Sequence, residues 1–332
     1  MTRCAVIGAG AWGTALADLL AEAGHEVLLW AFEPDVAHSI NERHENVRFL
    51  AGSRLSANLA ATNEQDLALR DARLVVYATP STHLRSIARA AASCVHEDAI
   101  LAVATKGIEL GSMALMTDVI AAEVPNHSVV ALSGPSFAAE VAARQPTAIV
   151  AACESADAAR FVQEVISSAT FRIYTHDDVV GVELGGALKN VMAVATGILE
   201  GAGLGFNSRA ALLTRGLAEM TRLGMSLGAR ASTFAGLAGI GDLVLTCTGS
   251  LSRNRSLGVD IGRGKTLEEA RAGKETVAEG VVTTASAIEL AAREGVEMPI
   301  AEMVYRILFD HHPASLAAQE LMARELRSEQ DA

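Results

Sequence analysis

Residues 3–30 restrict the fold of this chain more than any other stretch. Cys4-Ala5-Val6-Ile7 is a short apolar run of the kind buried on both faces of a parallel sheet. It leads directly into Gly8-Ala9-Gly10-Ala11-Trp12-Gly13, a complete G-x-G-x-x-G. A helical stretch follows to about Ala23, with Gly24 as its C′ residue, and Val27-Leu28-Leu29-Trp30 forms a second strand. Each glycine then has a mechanical reason. Gly8 allows the tight turn, Gly10 lets the backbone approach a pyrophosphate, and Gly13 lets helix and strand pack closely, while the helix N-terminus offers N–H groups to phosphate. Alone the motif is weak. Between a strand and a helix, at the start of a βαβ unit, it predicts a doubly wound α/β domain that holds a dinucleotide.

Further apolar runs extend that sheet: 74–78, ending at Thr79-Pro80; 100–104, ending at Thr105-Lys106-Gly107; and 129–132, leading into Ser133-Gly134-Pro135-Ser136-Phe137-Ala138. Thr147–Ala152 and Thr170–Tyr174 read as two more strands. The carboxyl ends of strands line the ligand crevice of such a sheet, so Lys106, Gly134 and Ser136 fall on candidate positions. The acidic residue expected some 20 positions after the glycines is ambiguous. Glu33, behind Phe32, could accept a bond from a ribose hydroxyl and would repel a 2′-phosphate; it reads equally well as a turn residue before Pro34.

After Asp177-Asp178 the pattern turns helical, rich in Ala, Leu and Glu. The chain is therefore read as α/β: a Rossmann-type domain over 1–180, followed by an all-helical domain over 181–332. The segment Glu183–Asn207 reads as one buried helix with no charge between Lys189 and Glu200. Lysine is rarely buried unless paired. Lys189 is either a structural residue, paired with Glu183 or Asp242 or snorkelling to water, or a desolvated acid/base group able to exchange a proton with a substrate oxygen; the helix alone leaves both open. Downstream, a Gly-punctuated loop over 234–243 delivers Asp242. Ser250-Leu251-Ser252-Arg253-Asn254-Arg255 places arginine forks at a helix start suited to phosphate, although a capped helix with solvent-facing arginines has the same pattern. Thr276-Val277-Ala278-Glu279-Gly280 is a second such turn, before a helix from about Val281 to Glu294; the tail reads as two helices broken near His311-His312-Pro313.

Composition narrows the classes. With 39 acidic and 27 basic residues the net charge is -12, which argues against non-specific nucleic-acid binding, so an anionic substrate needs a local basic cluster. The four cysteines are widely spaced and form no CxxC or Cys/His ligand pattern, so no metal is expected and reduced thiols in a cytoplasmic compartment are. A strand beginning at Arg3 leaves no room for a signal peptide, and no uncharged apolar run approaches a membrane span. The Ala-rich helical part is compatible with a homodimer.

Together these stretches resemble the bacterial-type NAD(P)-dependent glycerol-3-phosphate dehydrogenases. The resemblance rests on seven motifs in the family's order: Gly8 to Leu16, Thr105 to Gly107, Ser133 to Ala138, Gly186 to Asn190, Gly239 to Leu243, Ser252 to Arg255 and Val277 to Gly280. It implies interconversion of dihydroxyacetone phosphate and sn-glycerol 3-phosphate with NAD or NADP, feeding glycerophospholipid synthesis. It also implies that Lys189 is the proton donor and acceptor, oriented by Asp242 and Asn190. By the same resemblance Lys106, Gly134, Ser136, Asp242, Ser252, Arg253 and Asn254 surround the substrate. Gly8, Gly10, Ala11, Trp12, Gly13, Phe32, Lys106, Ala138, Arg253, Val277 and Glu279 surround the cofactor. Relatives commonly carry a basic residue after the second strand; Phe32 and Glu33 stand there instead, so NADH is expected to serve at least as well as NADPH.

Overall fold

The computed structural model describes residues 1–273, 278–326 and 328–329. They divide into two compact units: Met1–Lys106 with Leu115–Val179, and Gly107–Ala114 with Val180–Ala332.

The first unit holds an eight-stranded sheet of β1 (Arg3–Ile7), β2 (Glu26–Trp30), β3 (Leu59–Thr62), β4 (Leu74–Tyr77), β5 (Ile100–Val103), β6 (Val129–Ser133), β7 (Thr147–Ala152) and β8 (Phe171–His176). Their spatial order is β3-β2-β1-β4-β5-β6-β7-β8, parallel throughout except for the antiparallel β6–β7 pair. The helices of this unit are α1 (Ala11–Glu22), α2 (Pro34–Arg43), α3 (Gln65–Leu69), α4 (Ser81–Ala90), α5 (Met116–Glu123), α6 (Ala138–Ala142) and α7 (Ala156–Ile166). β4 is buried at all four positions and β1 at four of five, as expected for strands covered on both faces. The chain runs outward from β1 through β2 to β3, then returns to β4 on the other side of β1. That reversal is the switch point where an open α/β sheet leaves a crevice at its carboxyl edge.

Strand β3 is absent from the sequence expectations. Leu59-Ala60-Ala61-Thr62 offers two alanines and little β-branching, so its propensity is weak. It holds its place by pairing with β2 in register, and by the Asn41 side chain, which bonds both the carbonyl and the N–H of Ala61.

The described residues of the second unit form α8 (Val179–Gly201), α9 (Phe206–Ser226), α10 (Ala231–Phe234), α11 (Asp242–Thr248), α12 (Arg253–Gly262), α13 (Leu267–Arg271), α14 (Glu279–Glu294), α15 (Pro299–Phe309) and α16 (Ala314–Met322), with no strand among them. The expected single helix to Asn207 ends at Gly201. Gly203 takes φ +80°, which a helix cannot continue through, and α9 restarts after Gly205. Val179–Gly201 is long and apolar enough to cross a membrane by composition, but nine-tenths of its most apolar window is buried inside the protein; the other such stretch, Ala231–Thr248, is broken at Ala235-Gly236 and resumes through a π-helical turn over Leu237–Gly241.

Two of the glycine-dependent helix contacts in this unit set the positions of α12 and Asp242. Gly197-x-x-x-Gly201 on α8 meets Gly258-x-x-x-Gly262 on α12. A Cβ at Gly197 would lie 2.1 Å from the Arg255 carbonyl oxygen, and one at Gly258 would lie 2.2 Å from that of Val194. Low numbers pair with low and high with high, so the two helices run in the same sense and the start of α12 comes level with the middle of α8. At the other contact, a Cβ on Gly185 would sit 2.4 Å from the Ala238 carbonyl oxygen, so α8 and the Leu237–Gly241 turn touch backbone to backbone. One helical turn further along each chain stand Lys189 and Asp242.

Candidate active site

In the first unit the glycine-rich turn has the geometry its sequence requires. Gly8 takes φ +116°, and a Cβ there would lie 2.8 Å from the Ala78 carbonyl oxygen; one on Gly13 would strike the Gly8 carbonyl oxygen at 1.9 Å. Gly10 differs: a Cβ there would meet no atom of the described residues within 4 Å. It is the N-cap of α1 and supplies no side-chain cap, so Ala11, Trp12 and Gly13 open the helix with N–H groups that have no intrahelical acceptor. Trp12 is half-buried and packs on Phe171, ring centroids 6.4 Å apart.

Two buried hydroxyls, Thr79 Oγ1 just past β4 and Ser133 Oγ at the end of β6, have no hydrogen-bond partner among the described residues. Both lie at the carboxyl edge of the sheet. Open space over Gly10, an uncapped helix start and orphaned polar atoms at the strand ends together fit a dinucleotide. At the far end, Phe32 is 76% exposed just past β2 and stands edge-on to Trp30. Glu33 is the N-cap of α2, with Pro34 at the first helical position, so its backbone serves the helix while its side chain makes no capping bond.

Three expected substrate residues converge on one atom. Lys106 Nζ donates to the Gly134 carbonyl oxygen at 3.1 Å, and Ser136 Oγ donates to the same oxygen at 3.0 Å. Gly134 takes φ +147°, and a Cβ there would lie 2.8 Å from Ile149 Cα. Ala138 opens α6, half-buried against the core.

In the second unit Lys189 is 7% exposed and its Nζ stands 2.5 Å from Oδ1 of the fully buried Asp242. Asp242 is the first residue of α11, where the helix dipole favours a negative charge, and Thr246 one turn on reaches the same oxygen at 3.4 Å. Among the alternatives open to Lys189 in sequence, pairing with Asp242 is present here. Cys247 lies buried beside this pair; burial pushes its thiol up to about 12, so it stays protonated and unreactive.

Asn190 has a different role from the expected one of orienting Lys189. Its side-chain oxygen accepts from Asn254 Nδ2 at 2.9 Å, and Asn254 Oδ1 in turn accepts the Gly280 N–H at 3.0 Å. The chain of contacts thus links α8, the start of α12 and the start of α14. Ser252 is the buried N-cap of α12, its hydroxyl accepting the Arg255 N–H. Arg253 is exposed and lies within electrostatic reach of Glu279, the first residue of α14. Arg255 forks onto Glu200 at 2.7 and 3.0 Å and so is structural. Val277 lies outside the described residues.

Sequence reasoning passed over Asn46, buried against the glycine-rich turn, and Glu219, a buried carboxyl that bonds the start of α15. Single polar residues in undistinguished surroundings carry no motif; only the fold reveals what they touch.

Comparison with known proteins agrees with this geometry. The family model described as NAD-dependent glycerol-3-phosphate dehydrogenase N-terminus matches residues 3–159, and that described as the C-terminus matches residues 178–319. A Geobacter protein named glycerol-3-phosphate dehydrogenase (NAD(P)+) is 51% identical over 330 residues, covering 98% of each chain. One of the same name from Citrifermentans bemidjiense is 52% identical with the same coverage. The crystal structure of glycerol-3-phosphate dehydrogenase from Coxiella burnetii superposes with a TM-score of 0.94 at 38% identity, covering 97% of this chain and 99% of that one.

Proposed function

The chain belongs to the NAD-dependent glycerol-3-phosphate dehydrogenase family, and on that premise we propose that it interconverts dihydroxyacetone phosphate and sn-glycerol 3-phosphate using NAD or NADP. The observation that carries the chemistry is the buried Lys189–Asp242 pair. A buried ion pair adds little stability over well-packed apolar side chains, so its presence in an otherwise apolar helix argues for use rather than support.

A nicotinamide cofactor held by the first unit would supply the hydride that C2 of the substrate accepts. Lys189 handles the oxygen: as the C2 carbonyl oxygen gains negative charge, the ammonium stabilises and then protonates it, and in the reverse direction Lys189 takes that proton back. Asp242 fixes the ammonium in position and balances its charge. The substrate phosphate falls to Arg253 and Asn254, with Ser252 setting the helix start that presents them, and Asn190 holds the Asn254 amide. Lys106, Gly134 and Ser136 form the substrate contacts of the first unit. Gly8, Gly10, Gly13, Ala11 and Trp12 take the pyrophosphate side of the cofactor, with Phe32 at its adenosine end and Ala138, Arg253 and Glu279 contributing further contacts. In this reading 1–180 is the dinucleotide domain and 181–332 the substrate and catalytic domain, of a cytoplasmic enzyme supplying glycerol 3-phosphate for glycerophospholipid synthesis.

Phe32 and Glu33 offer no positive charge beside β2 to a 2′-phosphate, so NADH should serve at least as well as NADPH. The test is nicotinamide absorbance with purified protein and dihydroxyacetone phosphate, NADH and NADPH run in parallel. Oxidation of either supports the activity, a strong preference for NADPH refutes the reading of Phe32 and Glu33, and oxidation of neither refutes the assignment.

A further inference from the structure

We propose that Asn46 is a positioning residue for the cofactor: its side-chain amide locks the peptide between Ala9 and Gly10 so that the glycine-rich turn presents a donor, not an acceptor, to the pyrophosphate. The inference rests on reading residues 8–13 as the pyrophosphate site and goes beyond it by naming what holds that turn in its binding form.

Asn46 is 1% exposed, and both ends of its amide are used. Nδ2 donates to the Ala9 carbonyl oxygen at 2.9 Å and to Thr14 Oγ1 at 2.9 Å. Thr14 Oγ1 itself donates to the same Ala9 carbonyl oxygen at 3.1 Å. One carbonyl of the turn is therefore gripped by two side-chain donors, one from α1 and one from a loop 37 residues away. The orientation of the amide is fixed too, because Oδ1 accepts the Phe49 N–H at 3.1 Å. That contact forces the NH₂ end toward Ala9. Aspartate, with two acceptor oxygens, cannot reproduce it.

A trans peptide is rigid and planar, so its C=O and N–H point in opposite directions. Holding the Ala9 carbonyl inward against Asn46 and Thr14 turns the Gly10 N–H outward, beside the open space over Gly10 and the uncapped start of α1. Gly10 has no Cβ to resist rotation of this peptide. Released from its two donors, the plane can flip, and a carbonyl oxygen would then face an anionic pyrophosphate. The sign of the local field at the cofactor site thus depends on a side chain that is itself buried.

The experiment measures NADH and ADP affinities of Asn46→Ala and Thr14→Val, with thermal midpoint, kcat, and KM for dihydroxyacetone phosphate at saturating NADH. ADP carries the pyrophosphate and needs no substrate site, so its binding tests this proposal even if the substrate assignment fails in the wild-type assay. Asn46→Ala should weaken both ligands about tenfold, roughly the net worth of its one hydrogen bond to the Ala9 carbonyl, while KM for the substrate stays unchanged. Thr14→Val, which removes one of the two grips on Ala9, should weaken both ligands by a smaller factor. Wild-type affinity for NADH and ADP in a folded Asn46→Ala protein overturns the proposal. So does a fall in kcat, substrate affinity and thermal midpoint together with no selective loss for pyrophosphate ligands. If Asn46→Ala does not fold, Thr14→Val decides: weaker ADP binding supports the inference and unchanged ADP binding refutes it.

Discussion

Glu219 makes the stability of the helical unit pH-dependent in a direction opposite to that of most carboxylates. It lies on α9, 2% exposed, and its two oxygens accept the N–H groups of Ile300 at 2.8 Å and Ala301 at 3.3 Å. Because Pro299 occupies the first helical position of α15, these are the next two donors of that helix, capped from a residue 81 positions away. Burial pushes the carboxyl from 4.5 up to about 7, against the pull of the two N–H groups and of the Arg222 charge. In the unfolded chain the group ionises near 4.5. Below that pH the carboxyl is protonated in both states and adds no pH-dependent penalty. Between 4.5 and about 7 the unfolded chain loses its proton first, so stability falls as pH rises, and above 7 the full cost is present. At roughly 1.4 kcal/mol per pH unit, the contribution lost between pH 5 and pH 8 is about 2–3 kcal/mol. The assay is a urea unfolding midpoint at several pH values for the wild type and Glu219→Gln, whose difference isolates this group. Glutamine keeps an acceptor for α15 and cannot ionise, so it should gain on the wild type from pH 5 to about pH 7 and level off above that. A gap between the two proteins that stays flat across that range would refute the reasoning.

Lys189→Ala should lower kcat by about 10²–10⁴, the usual contribution of a general acid, while NADH still binds; steady-state kinetics and a cofactor titration check both halves. Arg253→Ala should raise KM for dihydroxyacetone phosphate far more than it lowers kcat, and an unchanged KM would place the phosphate elsewhere. Gly258→Ala puts a methyl group 2.2 Å from a backbone oxygen of α8, so the helices must separate; the expected loss is about 1–3 kcal/mol by denaturation, accompanied by a raised substrate KM because Arg253 and Asn254 move with α12.

How much of this was legible in the sequence depended on whether a residue's partner lay in its own motif. The positive φ at Gly8 and the close contact at Gly13 are legible from six residues because both are made within the strand–turn–helix unit, whereas the approach of Ala78 to Gly8 comes from the end of β4 and carries no local signal. Lys189 declares itself by contrast with its apolar helix, but sequence alone leaves Glu183, Asp242 and water open to it; the backbone contact at Gly185, which sets the π-helical turn Leu237–Gly241 against α8, is what places Asp242 beside it. Asn190 shows the opposite outcome. Adjacent in sequence to Lys189, it points away and serves Asn254, since consecutive helical residues do not share a face. Glycines in the helical unit divide the same way. Gly197 and Gly201 are needed for the approach of α12, whereas Gly203, two positions later, is needed for a positive φ that ends the helix; the one-letter pattern is the same for both. A helix boundary set by backbone angle and a helix contact set by a missing Cβ cannot be separated until the neighbouring helix is in place. Here that neighbour is α12, which carries the arginine and asparagine assigned to the phosphate.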